Sequence, residues 1–159
     1  LLLTYLTTKT IWTNWLKDLK HLPMHNRVIG VFVLRVLLGV IFMMQGFGKV
    51  FTWGMDNVYK SFEPYEETFL PKLLLVFTAY FTSYAELIGG FLLIIGLFRN
   101  YALYALGAVL LIVAFGHGLT SPIWDLSHVF PRAVLLISLL LIPQEWDKWQ
   151  IEIIIRKPQ

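Results

Sequence analysis

The feature that most constrains this chain is the length of its uncharged runs. Val28 to Gly48 is interrupted only by Arg35 and Gln45. Lys72 to Leu97 holds one internal charge, Glu86, and Tyr101 to His117 has none before its terminal histidine. Each reaches the roughly 17–25 predominantly apolar residues that a helix needs to cross a hydrocarbon core about 30 Å thick. A fourth run, Val129 to Ile142, is shorter and stops at Pro143. The period-two alternation of barrel strands does not occur, so the runs read as helices. Composition agrees: 57% of the 159 residues are apolar and 14% charged, where soluble domains carry about 25% charged residues. A soluble domain of this size has too much surface to hide that much apolar material. Abundant aromatic and aliphatic residues exclude disorder. The absence of cysteine excludes a disulfide framework, a thiolate zinc site and thiol redox chemistry in this chain. A dispersed net charge of +3 gives no nucleic-acid footprint. The fold class is therefore all-α: a transmembrane four-helix bundle with an N-terminal interfacial amphipathic helix. Its spans lie at about 28–48, 72–97, 101–117 and 125–142, with an N-terminal segment 1–27 and a tail 143–159.

The fourth span has two readings. To cross the core it must extend back through His128 towards Asp125, which brings Asp125, His128 and Arg132 to membrane depth with Pro131 near its first turn. Otherwise it is a short helix in a thinned bilayer, with those groups among headgroups. In the N-terminal segment, Ile11, Trp12, Trp15, Leu16, Leu19 and Leu22 share one helical face, which suits a helix lying in the interface or packing on a partner subunit. It lacks the continuous apolar core and cleavage site of a signal peptide. The chain opens on Leu1 rather than Met, so its true start is expected to lie further upstream. Orientation follows from the Lys and Arg outside the spans. Lys9, Lys17, Lys20, Arg27, Arg99, Lys148, Arg156 and Lys157 fall on one side, and Lys49, Lys60, Lys72 and Arg132 on the other. The positive-inside rule then puts both termini in the cytoplasm, with the 49–72 loop outside.

An ionisable group at mid-bilayer costs about 2.5–3.5 kcal/mol on insertion scales, so it faces protein and has a partner. Arg35 and Glu86 fall near the middles of the first two spans, and an ion pair between them is the expectation. Arg35, Gly39, Phe42, Gly46 and Lys49 form one stripe. Ala79, Thr82, Ser83, Glu86, Gly89, Gly90 and Leu93 form a small-residue face that lets helices approach closely. Such a pair either fixes register alone or makes Glu86 a proton-exchanging carboxylate and Arg35 an anchor for a ligand oxygen.

A second constellation lies at the outer mouth, where Lys49, His117, His128 and Arg132 gather with Trp124 and Asp125. It reads as a ring of interface anchors, or as a pocket for an anionic or quinone-like headgroup with histidine exchanging a proton. Bis-histidine haem ligation by His117 and His128 is the least favoured, because ten residues of tight turn leave no porphyrin-sized gap. The candidate ligand-binding residues are thus Arg35, Lys49, His117, His128 and Arg132, and the catalytic candidates Glu86 and His117. No metal-ligand, P-loop or Ser–His–Asp motif is present.

Arg35-x3-Gly39 followed by Gln45-Gly46-Phe47-Gly48-Lys49 resembles the opening signature of the DoxX family of small four-helix membrane proteins. Glu86-Leu-Ile-Gly-Gly, continuing to Gly96 and Arg99, is similar to that family's second-span segment, and Gly116-His117-Gly118 fits its terminal histidine. The likeness covers roughly residues 30–118. Gln45 stands where the family often has histidine, and the N-terminal segment and the aromatic-rich tail are additional. The resemblance implies membrane redox work, as in a thiosulfate:quinone oxidoreductase subunit or an oxidant-detoxifying complex, or else an assembly role. It points to Arg35, Lys49, Glu86, Arg99 and His117, and to the cytoplasmic (inner) membrane of a bacterium. Two functional readings result. One is a redox-associated subunit taking a quinone or small sulfur oxyanion, with no intrinsic cofactor and its electron carrier supplied by quinone or a partner. The other is a non-catalytic structural or assembly subunit of a larger membrane complex, docked through its N-terminal segment and tail. A small transporter would need a polar path that Arg35 and Glu86 alone scarcely provide. Whether the chain is itself an enzyme stays open at this level.

Overall fold

A computed structural model describes residues 21–120 and 127–155, and among these all regular structure is helical. The interfacial helix expected before residue 21, and Trp124 and Asp125, lie outside the described residues. Helix α1 (Met24–Phe47) begins directly after Pro23, which has no N–H to give to a helix interior. It continues through a π-helical turn, Gly48–Trp53, and stops at Gly54, whose φ of 82° suits glycine. A short helix α2 (Met55–Lys60) and a loop with a 3₁₀ turn at Glu63–Tyr65 lead to α3 (Lys72–Ile95), again started by a proline, Pro71.

The end of α3 is a Schellman cap. Gly96 is left-handed (φ 69°), its N–H donates to the Leu93 carbonyl, and the Leu97 N–H donates to that of Leu92. The chain then turns within three residues into α4 (Arg99–Thr120). Helix α5 (Val129–Leu141) follows, then a 3₁₀ turn at Gln144–Trp146 and a last short helix, α6 (Ile151–Ile155).

Among the described residues, three helical stretches are long and apolar enough to cross a membrane: Met24–Trp53, Lys72–Ile95 and Arg99–Thr120. The fourth run does form a helix, but α5 has 13 residues, about 20 Å of rise against a core of about 30 Å. Leu136 and Leu139 are buried in the common core with Leu38, Phe42, Leu93, Leu103 and Leu106, so α5 completes the packing of the three longer helices.

The small-residue face on α3 is buried throughout: Ala79, Thr82, Ser83, Glu86, Gly89, Gly90 and Leu93. It divides between two neighbours. A Cβ on Gly90 would stand 2.6 Å from the Gly39 carbonyl oxygen of α1, whereas one on Gly89 would meet Leu106 of α4 at 3.1 Å. Glycine here is what allows α1 and α3 to touch backbone to backbone.

Candidate functional site

Those glycine contacts fix the register of α1 against α3, and the register decides which charges meet. Gly39 lies opposite Gly90, and Gly46 lies against Leu87. In antiparallel helices this puts Arg35 level with the C-terminal end of α3 and Glu86 level with Gln45, roughly 15 Å apart along the axis at 1.5 Å per residue. The expected Arg35–Glu86 pair is therefore replaced by two separate charged centres, one towards each end of the bundle. The expectation failed because depth along each run does not set the register: Gly39 against Gly90 and Gly46 against Leu87 slide Arg35 past Glu86 to the end of α3.

The first centre closes the end of the bundle that carries the α3–α4 turn and the tail. Arg35 is fully buried; its Nε lies 3.0 Å from Asp147 Oδ2 and donates to Oδ1 at 3.2 Å. Its Nη1 donates to the carbonyls of Leu93 and, at 2.9 Å, Ile94, and its Nη2 to that of Trp149 at 2.6 Å. Arg99, also buried, approaches Asp147 Oδ2 at 3.7 Å and donates from Nη2 to the Leu139 carbonyl. Trp146, Asp147 and Gln150 are all buried. This part of the tail folds back into the bundle, where Asp147 and the Trp149 carbonyl meet the arginines. Two cations share one carboxylate and a set of helix-end carbonyls. That arrangement ties α1, α3, α4, α5 and the tail together; among the described residues, the buried Arg99 Nε and Gln150 Nε2 have no hydrogen-bond partner there.

The second centre lies at the other end. Lys49, on the π-helical turn, places Nζ 2.7 Å from Oε2 of Glu86, whose side chain is 1% exposed. Arg132 on α5 reaches the same carboxylate electrostatically. A π-helical turn inside an α-helix is rare and recurs at functional sites, because it shifts one side chain out of the regular register. Beside this pair opens a cavity of about 590 Å³, within the range of small-molecule sites. Its walls are largely apolar (Leu74, Leu75, Phe77, Leu111), and Phe62, Tyr65 and Leu70 of the 61–71 loop roof it. Gln45, Lys49, Thr78, Thr82 and His117 are its polar lining inside the bundle. Among the described residues, two buried polar atoms on that lining have no hydrogen-bond partner, Gln45 Oε1 and His117 Nδ1. A buried polar atom without a partner costs about 1–3 kcal/mol, and a ligand with matching donors or acceptors would relieve both.

The roof is fastened from outside. The Tyr59 hydroxyl donates to Glu66 Oε1 at 2.7 Å, and Lys72 Nζ lies 3.3 Å from the same oxygen. Glu66 is held below the usual carboxylate range, chiefly by the Tyr59 hydrogen bond and then by Lys72.

Of the sequence candidates, the structure gathers Lys49, Glu86, His117 and Arg132 into this end and sends Arg35 and Arg99 to the other. His128 is exposed at the N-terminal boundary of α5 and does not line the cavity. Sequence reasoning missed Asp147 and Gln45. Asp147 is the lone carboxylate between Trp146 and Lys148 in a segment read as a tail and docking surface. Gln45 was noted as an interruption of an apolar run and as standing where the family often has histidine, but not as a site residue.

These features define a class: an integral membrane protein of packed helices with a small-molecule-sized cavity between them. A family model described as DoxX matches residues 30–118, more than half of the chain, and the protein belongs to that family. The match runs from α1 to the end of α4, so it takes in Arg35, Lys49, Glu86, Arg99 and His117 but neither Arg132 nor Asp147. No curated protein and no solved structure matches the chain.

Proposed function

We propose that the protein is a redox-associated membrane subunit that takes a quinone headgroup into the cavity beside Lys49 and Glu86. The observation that carries this reading is the pair of unpartnered atoms, Gln45 Oε1 and His117 Nδ1, on the wall of an otherwise apolar cavity. A quinone has an apolar body with two opposed oxygens. Its oxidised form accepts hydrogen bonds, which Lys49, the Gln45 amide and a His117 N–H can donate. Its reduced form donates them, which Gln45 Oε1 and an unprotonated His117 nitrogen can accept. Bound there, quinone supplies the electron chemistry; the chain's residues bind and orient it and exclude water. Electrons then come from a partner subunit. A sulfur oxyanion fits less well, because Glu86 already neutralises Lys49 and most of the lining is apolar.

The setting proposed with it is a bacterial cytoplasmic membrane with both termini inside, as the distribution of Lys and Arg favours. The test is titration of decyl-ubiquinone or a short-chain menaquinone into the purified protein. His117→Ala and Gln45→Leu should each weaken binding about tenfold, the effect of one lost hydrogen bond in a buried site. Glu86→Gln should shift the pH dependence of binding. Featureless titrations, identical in all forms, refute the proposal. A non-catalytic structural or assembly subunit is the second reading. It rests on apolar side chains that the tail leaves uncovered, Trp149, Ile151, Ile153 and Ile155. Copurification from native membrane that yields this chain alone eliminates it.

A further inference from the structure

A second cavity, of about 360 Å³, lies at the opposite end of the molecule from the first, between the start of α1 and the segment after α5. Met24, Arg27, Val28, Glu145, Trp146 and Lys148 line it. The Arg27 guanidinium stacks over the Trp146 ring with its carbon 5.0 Å from the ring centroid. Stacking occupies the face of the guanidinium and leaves its in-plane N–H groups for an acceptor. The buried Nε has no hydrogen-bond partner among the described residues. Lys148 contributes a second cation to the same space. Among the described residues its Nζ makes a hydrogen-bond contact with the Met24 sulfur at 3.8 Å, a weak acceptor. Arg27 lies three residues inside α1, about 4–5 Å along the axis from the start of the span, so it stands at headgroup depth.

From this geometry we infer that the cavity is a binding site for the phosphate of an anionic phospholipid headgroup, with Arg27 as the forked donor and Lys148 as the supporting charge. A stacked arginine with free in-plane N–H groups suits a phosphate oxyanion, which accepts two parallel hydrogen bonds from such a fork. Trp146, buried with the core, backs the face of the guanidinium and fixes the plane of its fork. Glu145 on the rim opposes the anion and limits its affinity. The inference rests on neither the quinone reading nor the orientation of the chain, since anionic lipid meets whichever leaflet this end occupies.

The chemistry recognised is that of a phosphate oxyanion, and its source can be lipid or solution. The full chain, purified in a neutral detergent, is titrated with dihexanoyl-phosphatidylglycerol, dihexanoyl-phosphatidylcholine and inorganic phosphate, and bound species are counted by native mass spectrometry. Phosphatidylglycerol should bind at least tenfold more tightly than phosphatidylcholine. Arg27→Gln should weaken it about tenfold and Lys148→Gln about threefold, whereas Glu145→Gln should tighten it. Lys60→Gln, at the far end of the bundle, should change nothing. Lys148 and Glu145 are exposed, so their variants report on binding even where Arg27→Gln fails to fold. Phosphatidylglycerol binding unmoved by both Lys148→Gln and Glu145→Gln overturns the site. Inorganic phosphate binding as tightly as phosphatidylglycerol, with the same dependence on Lys148, overturns the lipid assignment.

Discussion

Replacing Asp147 with asparagine removes one charge, keeps the shape of the side chain, and leaves two buried guanidinium groups without their counter-ion. Removing one partner of a buried ion pair costs about 3–5 kcal/mol, because the other charge stays buried and uncompensated. Here the loss is moderated on one side and aggravated on the other. Arg35 keeps the carbonyls of Leu93, Ile94 and Trp149, and Arg99 keeps that of Leu139, so neither guanidinium loses all its acceptors. The two cations, however, then face each other without the carboxylate they share. We expect about 3 kcal/mol of destabilisation, roughly a 150-fold fall in the folded-to-unfolded ratio. Equilibrium unfolding in mixed detergent micelles, titrated with dodecyl sulfate, measures it. Trypsin cleavage after Lys148 should accelerate in parallel as the tail detaches. Adding Arg99→Gln to Asp147→Asn restores the original charge balance and should recover at least 1 kcal/mol relative to the sum of the single effects. A variant within about 0.5 kcal/mol of the parent, or strict additivity in the double variant, would refute the reading that Asp147 neutralises these arginines.

Gly90→Ala should cost about 3 kcal/mol, the upper end for overpacking, since the new methyl meets the Gly39 carbonyl at 2.6 Å and backbone cannot move aside; Gly30→Ala, with nothing within 4 Å, serves as the control in the same unfolding assay. Lys49→Met leaves the 1%-exposed Glu86 with Arg132 as its remaining electrostatic partner among those identified, whereas Glu86→Gln leaves a lysine that is 23% exposed and reaches water. Lys49→Met should therefore be the more destabilising of the two, and equal unfolding midpoints would contradict this. Because Glu66 titrates below its ordinary value of 4.5, its contact with Tyr59 is fully present above that pH and is lost as pH falls through the depressed value. The Tyr59 ring resonances should shift with a midpoint below 4.5, and Glu66→Gln should abolish the shift; a midpoint above 4.5 would reverse the sign of the argument.

The membrane class and the buried face of α3 were legible in the sequence because both are local. Run length and small-residue spacing need no knowledge of partners, and every residue assigned to that face from Ala79 to Leu93 is buried. The Arg35–Glu86 pairing was not legible in this way. It depends on the relative sliding of two helices, which is set by where Gly39, Gly46 and Gly90 touch, and a slip of a few residues exchanges one partner for another. Lys49 stands on the same stripe as Arg35, and without the register the stripe does not say which of the two cations reaches Glu86. Asp147 was hidden for a different reason: its partner Arg35 lies 112 positions away, and a carboxylate in a polar tail gives no local sign of burial. The cavity was anticipated in its polar lining, by Lys49 and His117, but its roof comes from a loop whose contacts no periodicity encodes.

The distance in sequence between Arg35 and Asp147 also has a consequence for how the molecule is made. Synthesis proceeds from the N-terminus, so α1, α3 and α4 are delivered to the bilayer with Arg35 and Arg99 already in place and their shared counter-ion not yet translated. Until Asp147 emerges, the nascent protein carries two unneutralised guanidinium groups near one membrane face. Translation of the segment after α5 thereby supplies the counter-ion that locks these helices together. Chains arrested before Asp147 should be degraded faster in pulse-chase experiments than chains arrested just after Gln150, which makes completion of the tail a checkpoint for the whole bundle.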